Sequence, residues 1–65
     1  MTQAEAKAQI VPLWQEWLQA NRSGKQSHDM QMFHAYVEQH YPQLLKFRAA
    51  GDKWQTFKMW IQDRY

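Results

Sequence analysis

The chain has 65 residues, among them four Trp, three Tyr and three Phe, with no cysteine. That length allows one domain, which buries only about 60% of the surface its unfolded chain exposes, so the aromatic rings have to supply much of the core. The lack of cysteine excludes a disulfide framework and a thiolate nucleophile, and a cytoplasmic setting is expected.

The net charge of +2 is modest, and its distribution is uneven. Residues 1–41 carry Lys7, Arg22 and Lys25 against Glu5, Glu16, Asp29 and Glu38, a net −1. Residues 42–65 carry Lys46, Arg48, Lys53, Lys58 and Arg64 against Asp52 and Asp63, a net +3. The opening residues show no basic stretch followed by an apolar one. No apolar run approaches the roughly 20 residues that a membrane span needs, so neither a signal peptide nor a transmembrane helix is expected.

In chain order, Thr2 and Glu5 have the spacing of a capping box. Pro12 then either kinks the first helix or opens a new one. Ile10, Val11, Trp14, Trp17 and Leu18 fall on one helical face, so packing is predicted from about Ile10 to Ala20, with Lys7 on the azimuth of Trp14 and Asn21 or Gly24 as the stop. "RSGKQS", residues 22–27, reads as the flexible loop.

Ser27 is the predicted N-cap of the second helix, with Asp29 in its first turn. Met30, Phe33, Val37, His40 and Tyr41 form its apolar stripe, flanked by Tyr36. Pro42 ends that helix at Tyr41, and a short helix over 43–49 is predicted next, with Leu44, Leu45 and Phe47 facing the core. Gly51 is expected to close it in a left-handed conformation, while Asp52 and Gln55 have capping-box spacing for a last helix that buries Trp54, Phe57, Trp60 and Ile61.

The fold class is therefore all-α, a single-domain bundle of three to four short helices over residues 1–65, with a helix-turn-helix-like C-terminal pair. In such a pair the second helix can enter the major groove of DNA. With Phe57 at the centre of the buried side, Gln55, Lys58, Met59 and Gln62 point outward, and Thr56 and Asp63 lie at the margin. Glutamine can pair with adenine, lysine can reach guanine or phosphate, and methionine can touch a thymine methyl. Gln55, Lys58 and Gln62 are the candidate base readers, and Lys46, Arg48 and Lys53 the candidate phosphate contacts. These residue types also occur on ordinary solvated helix faces.

Trp14 and Trp17 form the densest apolar surface of the N-terminal half. They read as core, or as anchors for a protein partner or a second copy of the chain, together with Met59. The expected function is accordingly that of a small DNA-binding or DNA-associated regulatory protein, as in transcription regulation, with a protein-interaction adaptor or inhibitor that uses aromatic surface and binds no nucleic acid as the alternative.

Three histidines, His28, His34 and His40, recur every six residues, which turns successive rings about 240° apart on a helix and disperses them, so no metal site is expected. His34 and Glu38 have the spacing of a surface pair. No phosphate loop, thiol or serine elbow is present, and so neither catalysis nor a cofactor nor a small-molecule substrate is expected.

Overall fold

The computed structural model describes residues 2–65. Three α-helices appear in it: α1 (Gln3–Asn21), α2 (Gln26–His40) and α3 (Lys53–Ile61). Single 3-10 turns occupy Pro42–Leu45 and Gln62–Arg64, and the described residues contain no strand. The body measures 30 × 20 × 18 Å.

α1 starts at the predicted capping box: Thr2 Oγ1 accepts from the Glu5 backbone N–H, and the Glu5 carboxylate accepts from the Thr2 N–H. Two amide donors that a helix start leaves orphaned are satisfied in this way. Of the two expectations for Pro12, a new helix opening there is not found, because α1 runs through Pro12 as one element. Pro12 lies on the exposed side, as does Ala8, whose carbonyl loses its i+4 donor, so solvent can satisfy that oxygen. The opposite side carries Ala6, Ile10, Trp14 and Leu18, all buried. Packing thus begins one turn earlier than Ile10, at an alanine small enough to permit close approach.

The loop is shorter than predicted, and Gly24 takes the left-handed conformation at φ +91°. Ser27 is not the N-cap. Lys25 occupies that position without a side-chain cap, since Asp29 is bent towards the loop instead. Its carboxylate accepts from the Ser23 N–H at 3.0 Å, from Ser23 Oγ at 2.6 Å and from the Tyr65 hydroxyl at 2.7 Å. Asp29 is the one charged side chain among the buried residues described. Burial pushes its carboxyl pKa up, but the bonds from Ser23 and Tyr65, helped by the nearby His28 charge, outweigh this and hold it below the ordinary aspartate value.

Met30, Phe33 and Val37 face the core as predicted. His40 does not: it is exposed at the end of α2, with its ring against Tyr36. His34 makes no pair with Glu38 but sits edge-on to Trp54 and Phe57, each centroid 5.0 Å away. It ties α2 to α3 through aromatic contact.

The predicted helix over 43–49 shrinks to the turn Pro42–Leu45, and an irregular segment spans residues 46–52. Leu44 and Phe47 plug into the core from this stretch, with Leu45 half-buried. Tertiary anchoring by two side chains thus replaces the helical hydrogen bonds, which a run of seven residues could hardly sustain alone. Gly51 has no left-handed backbone, as Gly24 is the only residue described with positive φ. Asp52 does cap α3, but it accepts from Trp54 N–H at 2.9 Å, one residue earlier than the capping-box position at Gln55. Phe57 and Ile61 are fully buried, whereas Trp54 and Trp60 are only half-buried at the flanks.

Candidate nucleic-acid interface and a second surface

α3 faces the core through Phe57 and Ile61, and the helical period then fixes what points away. Gln55, Met59 and Gln62 are exposed, Met59 at 65%. Lys58 is half-buried, its ammonium 5.2 Å from the centroid of the Trp54 ring, a cation–π contact that holds the stem along the helix flank. The three uncharged candidates share an open face, and Lys58 borders it.

The candidate phosphate contacts divide in the same manner. Lys46 and Arg48 are exposed in the segment leading into α3. Lys53 is exposed too, but its ammonium donates to the Leu45 carbonyl at 2.8 Å and lies 5.5 Å from the Phe47 ring, so it braces the segment that precedes its own helix. The Arg48 carbonyl accepts from the side chain of Gln3, which places this segment against the start of α1. One turn further along α1, Lys7 shares a shallow apolar cavity of about 370 Å³ with Arg64, floored by Ala4, Ala8, Val11 and Pro12. Two cations beyond the predicted set therefore lie close together. Lys7 is remote from the basic C-terminal third in sequence, and only the packing of α1 against residues 46–64 relates them.

Among the predicted protein-interface residues, Trp14 is corrected: it is wholly buried and cannot present a face to a partner. Its ring meets Phe33 at 5.2 Å, Trp17 at 5.9 Å and Tyr65 at 6.2 Å, and its indole N–H is buried with no hydrogen-bond acceptor among the described residues. Trp17 is half-buried and stacks on Trp14 at 12° between ring planes. Its outer side lines two adjoining cavities of about 550 and 350 Å³ along the seam of α1 and α2, shared with Tyr36 and Asn21. Met32 and Glu38 are among the residues that line the first of these, and Glu16 and Tyr41 among those that line the second. The helical period puts Tyr41 on the core stripe and Tyr36 on its flank, and it leaves Met32 aside, although a methionine outside the apolar stripe is a visible signal.

No group of histidine and carboxylate side chains suited to a metal ion occurs among the described residues. No described helix is long and apolar enough to cross a membrane. No family model matches the chain, and neither a curated protein nor a solved structure is significantly similar to it.

Proposed function

We propose that this chain is a small, non-catalytic regulatory protein that associates with DNA through the outward face of α3. The observation that carries the reading is the joint exposure of Gln55, Met59 and Gln62 on one side of a helix flanked by cations. Lys58 borders the face, and Lys46, Arg48 and Lys53 precede it where backbone phosphates would pass. The helix-turn-helix analogy is reduced to its second half, since a single 3-10 turn and a braced irregular segment stand where the first helix of the pair was expected. Nine residues of α-helix extend about 13 Å and reach about four base pairs, so one chain binds weakly and gains from association.

Titrating a labelled random duplex by fluorescence anisotropy at two salt concentrations tests this. Affinity should fall steeply with salt, and Lys58→Ala should flatten the logarithmic slope by about one unit. Absence of binding at low ionic strength would contradict the proposal. A second reading, an adaptor that binds a protein partner, is favoured by the open groove beside Trp17, because Trp is over-represented among interface hot spots.

A further inference from the structure

The seam of α1 and α2 has properties that the α3 face lacks. Trp17 and Tyr36 are held from beneath by core rings, Trp17 on Trp14 at 5.9 Å and Tyr36 on Phe33 at 6.2 Å. Their outer faces are thereby fixed before any partner arrives, so little rotamer entropy is left to lose on binding. Met32, 50% exposed, gives one wall of the groove a polarizable, adaptable side chain. The charged residues along the seam are both carboxylates, Glu16 and Glu38, and both are exposed. In a chain of net charge +2 this is a local reversal of sign.

We propose that this groove docks a cationic amphipathic helix of a protein partner, apolar side chains on Trp17, Met32 and Tyr36 and Lys or Arg beside Glu16 and Glu38. A helix is the form that suits a concave seam between two helices, whereas strand addition needs a free sheet edge and the described residues contain no strand. A second copy of this chain is a poor occupant. Met59, the more exposed of the two large apolar side chains open to solvent among the described residues, has Asp63 one turn further along the same face and would bring a carboxylate to a groove already bordered by two. The inference rests on the protein-partner reading of the groove and is independent of DNA association.

The probe is a synthetic peptide of leucine and lysine, apolar at i, i+3, i+4 and i+7, titrated into the isotope-labelled full chain and followed by NMR. Its leucine–glutamate counterpart serves as control. The expected result is saturable shifts at Trp17, Met32 and Tyr36 with the lysine peptide alone, weakened roughly tenfold by Glu16→Lys together with Glu38→Lys. Both positions are exposed, so an unchanged melting temperature verifies that the variant is folded. Shifts confined to α3, or binding indifferent to the reversal, would overturn the proposal. Preference for the glutamate peptide would overturn the occupant's charge while retaining a docking groove, and binding of neither peptide would remove the protein-partner reading as well.

Discussion

From Thr2 to His40 the chain is two long helices joined by a short loop, whereas from Pro42 to Tyr65 the longest regular element has nine residues. The first region has its own local supports: a capping box, a glycine in the left-handed conformation and the Ser23–Asp29 bonds across the loop. The second is held mainly by what it inserts and where it ties back. Leu44, Phe47, Phe57 and Ile61 enter the core, the Gln3 and Gln26 side chains donate to the Arg48 and Gln62 carbonyls, and Tyr65 reaches Asp29. The region with the least local structure is also the basic one. Surfaces for recognition are commonly carried by such segments, which a rigid scaffold positions.

The largest expected effect breaks both regions together. Trp14→Ala empties the centre of the aromatic cluster and should cost about 3–5 kcal/mol, which for a domain of this size leaves little folded protein at 37 °C. Trp14→Phe should cost clearly less, because it also removes the unpartnered indole N–H. Thermal melts of both variants check this.

Next comes acid. Asp29 has a folded pKa below its unfolded value, so its contribution to stability is complete above the ordinary aspartate range and is lost as pH falls through the lower, folded value. Tyr65 works in the opposite direction. Burial and the bond to Asp29 raise its pKa, so its contribution is complete below the ordinary tyrosine value and lost as pH rises through the folded one. Denaturant midpoints over pH should therefore fall at both extremes, and Tyr65→Phe should blunt both arms. A variant with the wild-type profile would show that this link between the two regions contributes nothing.

Smaller effects separate the regions. Gly24→Ala forces a side chain into φ +91° with no gain in packing, since nothing lies within 4 Å of the added carbon, and should cost about 1–2 kcal/mol. Asp52→Ala should cost about 1 kcal/mol through the lost cap. Amide hydrogen exchange distinguishes the two: Asp52→Ala should speed exchange in α3 while α1 and α2 remain protected. Uniform loss of protection would show one cooperative unit and dissolve the contrast.

The helices were legible where a long stripe agreed with a local cap. Thr2 and Glu5, the spacing of Trp14 and Leu18, and Met30, Phe33 and Val37 all specify their environment within one element. Ser27 misled because Asp29, two residues on, bonds backwards to Ser23 and is met by Tyr65, 36 residues away, a partner no local pattern reveals. The segment 43–49 misled because Leu44 and Phe47 satisfy a helical period while Pro42 and the tertiary pull of the core leave only one turn. His40 lay on a geometric stripe that outlasts the surface it packs against. At the candidate site, the open face of α3 followed from the position of Phe57 alone, but the diversion of Lys53 to Leu45 and the approach of Lys7 to Arg64 depend on contacts across the fold.

Mapping duplex DNA onto the labelled chain by NMR at low ionic strength addresses the central claim most directly, because both surfaces report in one spectrum. Resonances of Arg48, Gln55, Lys58, Met59 and Gln62 should move, and those of Trp17, Met32 and Tyr36 should stay in place. Shifts centred on the α1–α2 seam, or no shifts at all, would contradict the account.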